Sequence, residues 1–178
     1  MSIMASAKRS FEPAPEGLWP AVCVDVADIG MVDGVYGPKH KCRIVWEISE
    51  LMKTGEPYIA SKQYTLSLHM KASLHKDLKS WRGKPFTDEE LAGFDVEKVL
   101  GAPCQLLIEQ EEKDGITYGN IKAVMKADKR TVLKPSGKFV RSKDRKPKDT
   151  APEEGDPFAE EPHDDGDPDY ESGDAIPF

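Results

Sequence analysis

The sequence predicts a mainly β domain with five short strands and one helical segment, followed by a highly charged C-terminal extension. Over most of the first 125 residues, apolar side chains alternate with a period of two, which is typical of strands with one buried face. Once, between the third and fourth strands, the period changes to that of an amphipathic helix. Toward the C-terminus, basic and acidic residues are grouped into two separate blocks. These three observations fix the fold class and leave part of the chain outside the folded core.

Length and composition exclude several classes of protein. The chain has 178 residues, of which 38% are hydrophobic and 32% charged. No apolar run approaches the roughly 20 residues that a transmembrane helix needs, and the N-terminus lacks the apolar segment of a secretory signal. We therefore expect a cytoplasmic protein with no membrane partner. Three widely separated cysteines indicate buried, reduced thiols rather than a disulfide framework.

The first predicted strand covers Trp19–Ala27, where apolar and polar residues alternate. Alternation places Val22, Val24 and Val26 on one face and Ala21, Cys23 and Asp25 on the other. A 13-residue segment, Asp28–His40, follows and contains three glycines and a proline. We expect it to be a long irregular loop, which is a common location for functional residues.

The next two strands continue the same pattern. Lys41–Ile48 predicts a second strand with Cys42, Ile44, Trp46 and Ile48 facing inward and Lys41, Arg43 and Glu47 facing outward. A turn at Thr54–Pro57 leads into a third strand, Tyr58–Ser67, in which Ile59, Tyr64 and Leu66 are expected to pack.

A helical segment separates the third strand from the fourth. Met70, Leu74, Leu78 and Trp81 recur at helical spacing, and Gly83 is a suitable helix end. Thr87 and Glu90 have the spacing of a capping box at the start of a short second helix, and a further turn is expected at Val96–Leu100. Two more strands, Pro103–Gln110 and Ile116–Met125, flank the tight-turn pair Asp114-Gly115.

This element order is that of an OB-fold, a five-stranded Greek-key barrel. OB-folds bind oligonucleotides across their second and third strands and through their first and last loops. The alternative is a general α+β domain with the same order of elements. The fold prediction is therefore a five-stranded OB-fold barrel with a helical insert between strands 3 and 4, plus a disordered C-terminal tail.

Charge divides the chain into three regions. Residues 126–148 hold 10 Lys and Arg against 2 Asp, whereas residues 149–178 hold 12 Asp and Glu and no Lys or Arg. A like-charge block rich in proline and glycine cannot bury enough apolar surface to offset chain entropy. We therefore predict a folded domain over residues 1–127, a basic linker over 128–148 and a disordered acidic tail over 149–178.

The last residues of the chain carry a specific motif, Asp174-Ala175-Ile176-Pro177-Phe178. This ending resembles the C-terminus of bacterial single-stranded DNA-binding proteins, in which an OB-fold precedes a disordered acidic tail ending in Asp-Ile-Pro-Phe or a close relative. Phe178 offers an aromatic anchor and a terminal carboxylate for a cationic side chain of a partner. The resemblance implies that Asp174, Ile176, Pro177 and Phe178 bind replication, recombination or repair proteins.

A second resemblance lies in the helical segment. The stretches Ser67-Leu68-His69, Trp81–Phe86 and Gly93-Phe94-Asp95 look like the helical insert of phage- and prophage-encoded single-stranded DNA-binding proteins. Together the two resemblances imply a protein that coats single-stranded DNA in a bacterial host cell during replication, recombination or repair. The linker here is strongly basic instead of Gly/Gln-rich, so the oligomeric state stays open, a homo-oligomer included.

DNA binding without sequence preference needs cations for phosphates and aromatic faces for bases. The candidates lie on the first long loop and on the second, third and last predicted strands. They are Tyr36, Lys39, Lys41, Arg43, Lys62, Tyr64, Tyr118 and Lys122. Trp46 and Trp81 are assigned to the core because they share faces with aliphatic residues. The basic segment is expected to add phosphate contacts, and the acidic tail to compete with DNA for it.

Enzymatic alternatives rest on weaker patterns. A carboxylate cluster at Asp88, Glu89, Glu90, Asp95 and Glu97 would suit Mg²⁺ in a nuclease accessory, but acidic residues at a helix start are commonly there for the helix dipole. Neither a zinc-ligand spacing nor a phosphate-binding loop is present. We therefore expect no enzymatic activity, no metal and no cofactor, with a strand-annealing recombination accessory as a second alternative.

Overall fold

The computed structural model describes residues 12–145, and these form a mainly β structure with few helices. Five strands pair antiparallel in the order β3-β2-β1-β4-β5. Their bounds are β1 Gly17–Gly34, β2 Gly37–Leu51, β3 Pro57–Thr65, β4 Pro103–Lys113 and β5 Ile116–Lys126. Two helices, α1 Ser73–Arg82 and α2 Asp88–Ala92, and a 3₁₀ turn, Val96–Val99, lie between β3 and β4. The predicted position of the helical insert is confirmed.

The two outer strands of the sheet, β3 and β5, come near each other in space, and α1 packs against both. Because every neighbouring pair is antiparallel, β3 and β5 run in the same direction. Within residues 12–145, no helix is long and apolar enough to cross a membrane.

The faces of β1 differ from the predicted alternation. Ala21 and Cys23 both face the main core. Val24, the residue after Cys23, has no partner on β2, because Cys23 pairs with Trp46 and Asp25 pairs with Val45, which is adjacent to Trp46. This β-bulge shifts the strand by one residue. Val26 consequently faces the main core, whereas Val22, Val24 and Asp25 lie on the outer face. The predicted groupings of Val26 with Val22 and Val24, and of Asp25 with Ala21 and Cys23, were both wrong.

The segment expected to be a loop, Asp28–His40, is instead a two-stranded arm. β1 and β2 stay paired as far as Gly34 and Gly37, so the connection shrinks to Val35 and Tyr36. Gly37 has a φ of 101°, a conformation that favours glycine at this turn. Because β3 ends at Thr65, opposite Lys41, the arm extends past the end of β3, and two of the predicted binding residues, Tyr36 and Lys39, lie on it.

The helical segment matches its predicted signals at most positions. Leu74, Leu78 and Trp81 are buried, and the Gly83 C-cap has a φ of 67°. Met70 is 75% exposed and lies outside α1, so its predicted place on the packed face was wrong. The Thr87–Glu90 capping box is present at the start of α2, as predicted.

The main core fills the space between the sheet and α1. On β2, Cys42, Ile44, Trp46 and Ile48 all face inward as predicted, and the Trp46 ring lies 5.9 Å from that of Trp81. The cysteines are buried free thiols, also as predicted. Burial raises the pKa of Cys23 and of Cys42 to about 12 each, so both thiols stay protonated at neutral pH.

Candidate nucleic-acid interface

Three cations follow one face of β2. Pairing with β3 is regular from Lys41 to Glu47, and pairing with β1 advances one β2 residue at a time along the arm. Alternate residues of a strand share a face, so Lys39, Lys41 and Arg43 lie in a row on the outer face, opposite to the main core. We call these three residues the β2 row. The structure brings together three of the predicted phosphate-binding residues.

The row ends at the exposed tip of the arm. Tyr36 is 59% exposed, and the Lys39 ammonium lies 5.9 Å from the centre of its ring. On the other face of the arm, His40 Nε2 lies 2.6 Å from Asp28 Oδ1 and links the two strands. In proteins that bind single-stranded nucleic acid, aromatic rings stack on bases and nearby cations contact phosphates.

Residues 127–145 follow β5, and their part from Leu133 to Ser142 lies against the sheet instead of leading away from it; we call the whole segment the strap. Leu133 and Phe139 pack on the outer apolar cluster of Val22, Val24 and Val45. Val45 shares its face with the β2 row, so the strap covers the continuation of that face. The central part of the segment predicted to be a linker is therefore in contact with the domain that precedes it.

Two carboxylates fasten the strap to the sheet. Glu47, 2% exposed, accepts hydrogen bonds from the Ser136 backbone N–H at 2.8 Å and from its hydroxyl at 2.7 Å. Asp25, 1% exposed, accepts from the Ser142 N–H at 2.8 Å, the Ser142 hydroxyl at 2.7 Å and Arg141 Nε at 3.2 Å. Burial alone would raise the pKa of Asp25. The hydrogen bonds from Ser142 and Arg141 outweigh this effect, so the pKa of Asp25 lies below its ordinary value.

Sequence reasoning missed this docking because the segment reads as polar chain. Its signals are small: two apolar pairs, Val132-Leu133 and Phe139-Val140, and serines within a cationic stretch. Arg141 also reaches Glu97 at 3.2 Å, which links the strap to the 3₁₀ turn before β4.

Two predicted binding residues on β3 lie on the inner side of the sheet. Lys62 and Tyr64 pair with Ile44 and Cys42, which face the core. Tyr64 is 2% exposed, and its hydroxyl donates to Asp77 of α1 at 2.7 Å. Lys62 Nζ contacts the same carboxylate at 3.0 Å. Burial first, and then Asp77, raise the pKa of Tyr64 well above its ordinary value. As a correction, we remove both residues from the candidate interface, because α1 covers them.

The last two candidates lie on the β4–β5 hairpin, away from the arm. The hairpin extends from Ile108 of β4, which pairs with Gly17 at the start of β1. The arm lies at the opposite end of β1. Tyr118 is half-buried opposite Glu111, and Lys122 Nζ lies 3.8 Å from Glu109. Neighbouring carboxylates make this hairpin less suited to phosphates than the β2 row.

The carboxylate cluster considered for Mg²⁺ is largely taken up by structural contacts. Glu90 closes the capping box and pairs with Arg82 at 2.6 Å, Asp95 accepts from the Glu97 N–H at 3.0 Å, and Glu97 binds Arg141. Within residues 12–145, no group of three or more His, Cys, Asp or Glu is placed to hold a metal ion.

The predicted partner-binding residues Asp174, Ile176, Pro177 and Phe178 lie outside the described residues. Comparison of the sequence with models of protein families and with curated proteins gives no match.

Proposed function

We propose that this protein binds and protects single-stranded DNA, without strong sequence preference, through an OB-type barrel. The sheet order β3-β2-β1-β4-β5, with parallel β3 and β5 near each other and α1 packed against both, supports barrel closure between those strands. In an OB-fold, nucleic acid binds across the second and third strands. The β2 row lies on the second.

The observation that carries the proposal is the β2 row with Tyr36 at its end. Lys39, Lys41 and Arg43 repeat at two-residue intervals on one face, and an extended DNA strand offers phosphates to such a row. Tyr36 exposes more than half of its surface where a base would stack. Contacts to phosphates and to base faces do not depend on sequence.

The acidic tail gives the protein a second role in this proposal. Its terminal motif recruits replication, recombination or repair proteins of a bacterial host, and the protein itself is a non-enzymatic, cytoplasmic component that needs no metal or cofactor. A strand-annealing accessory uses the same surface and remains an alternative. A metal-dependent nuclease accessory is disfavoured by the structural contacts of Glu90, Asp95 and Glu97.

The test compares two double variants that remove equal charge. Lys39→Ala with Lys41→Ala should weaken binding to oligo(dT) and to a mixed-sequence strand alike, and flatten the plot of log K against log salt by about 0.7 for each lost contact. The matched control is Lys76→Ala with Lys79→Ala, on the exposed side of α1. Fluorescence anisotropy of labelled oligonucleotides measures both quantities. Equal salt slopes in the two variants would refute the proposed interface.

A further inference from the structure

We propose that the strap is a permanent part of the DNA interface: single-stranded DNA binds a composite surface made of the docked strap and the β2 row. This inference rests on the proposed function and says which surface performs it. The opposite arrangement is a strap that occupies the binding face and must leave before DNA enters.

The face beneath the strap is unsuited to phosphates. Asp25 and Glu47 lie on the outer face of the sheet, and their carboxylates accept hydrogen bonds from three strap residues, Ser136, Arg141 and Ser142. If the strap left, two carboxylates would face the DNA backbone next to the β2 row. Like charges at such an interface reduce affinity. Docking of the strap pairs Asp25 with Arg141 and gives the Glu47 carboxylate two hydrogen-bond donors from Ser136.

The rest of the covered face is apolar. Val22 is 0% exposed, and Val24 and Val45 are only 8% and 6% exposed. Leu133 and Phe139 of the strap pack on them, together with Ile59 of β3. Releasing the strap would return this apolar surface to water, which opposes release. None of these aliphatic side chains offers a flat ring for base stacking.

The outer surface of the strap, in contrast, is cationic. Two carboxylates of the strap are exposed, Asp128 and Asp144, against six exposed basic residues: Lys129, Arg130, Lys134, Lys138, Lys143 and Arg145. The strap lies on the same face of the sheet as the β2 row, since Val45 and Glu47 continue that row along β2. The docked strap therefore extends the cationic surface across a region that would otherwise be acidic and apolar.

The first test follows the strap during DNA binding in the full-length protein. The Ser136 and Ser142 amides donate to Glu47 and Asp25, so their hydrogen exchange reports docking, as do NOEs between the Phe139 ring and the valine methyls. At saturating oligo(dT), we expect amide protection and NOEs to be retained. Loss of both in the complex would overturn the inference.

The second test depends on the sign of a change in affinity. Ser136→Ala, Phe139→Ala and Ser142→Ala together remove two hydroxyl bonds and one apolar anchor without altering charge; Ser80→Ala, on exposed α1 surface, is the control. Undocking, checked by amide exchange, should weaken oligo(dT) binding several-fold. Unchanged or tighter binding by the undocked variant would show that the strap is a competitor or a bystander.

Failure of this inference differs from failure of the proposed function. A wild-type protein that does not bind oligo(dT) refutes the function. A wild-type protein that binds while its strap is released keeps the function and refutes the composite surface.

Discussion

The buried position of Tyr64 predicts that its hydroxyl stabilises the fold and takes no part in DNA binding. The substitution Tyr64→Phe deletes the 2.7 Å bond to Asp77 and keeps the ring in the core. A hydrogen bond to a charged group contributes about 1.5–3 kcal/mol. Asp77 keeps its contact with Lys62, so we expect the lower part of that range, about 1.5–2 kcal/mol, or roughly 5–10 °C in Tm.

Urea unfolding followed by tryptophan fluorescence measures the free energy of unfolding, and oligo(dT) anisotropy measures affinity in the same samples. Tyr36→Ala is the matched comparison, because this exposed tyrosine should change stability by less than about 0.5 kcal/mol. Loss of its stacking should cost about 1–3 kcal/mol of binding free energy, or about 5- to 150-fold in affinity. If Tyr64→Phe weakened DNA binding and left unfolding unchanged, the assignment of Tyr64 to the core would be refuted.

Three further predictions concern other parts of the chain. Cys23 and Cys42, with pKa values of about 12 and almost no exposure, should resist iodoacetamide at pH 8 in the folded protein and react only after denaturation; rapid native labelling would contradict their burial. The pKa of Asp25 is held below its unfolded value, so its contribution to strap docking is complete above about pH 4 and is lost as the pH falls through the folded pKa. Amide exchange at Ser142 against pH checks this, and Asp25→Asn should remove the transition. Deleting Phe178 should abolish pull-down of replication and repair proteins from a bacterial extract and leave oligo(dT) affinity nearly unchanged; intact pull-down would mean that the terminal motif is coincidental.

The order of the elements along the chain could be predicted from sequence. The faces of β2 could also be predicted, because the alternation over Lys41–Ile48 is regular. The faces of β1 could not. A bulge at Val24 adds one residue without any glycine or proline beside it to signal it, and this extra residue exchanges the two faces of the strand as far as Asp28, where a second shift precedes Gly30.

The arm was missed for a related reason. Glycines at positions 30, 34 and 37 resemble a loop, yet cross-strand pairing continues through all of them. Local composition thus predicted the wrong element, although Tyr36 and Lys39 within it were still identified as candidate binding residues.

The inner position of Lys62 and Tyr64 depends on tertiary structure. Their alternation on β3 is compatible with either face, and only the packing of α1, which brings Asp77 to both side chains, decides which face is covered. The docked strap likewise depends on Asp25 and Glu47, which are more than 80 residues away in sequence. Single-sequence patterns contain no such long-range pairing.

The most direct test of the account is a titration of the full-length protein, without Mg²⁺, with oligo(dT), a mixed-sequence single strand and the corresponding duplex. The account predicts similar, salt-dependent binding of the two single strands, weaker binding of the duplex, and no cleavage after Mg²⁺ is added. Absence of binding to either single strand, or a preference for the duplex, would contradict the claim that this β-sheet surface binds single-stranded DNA.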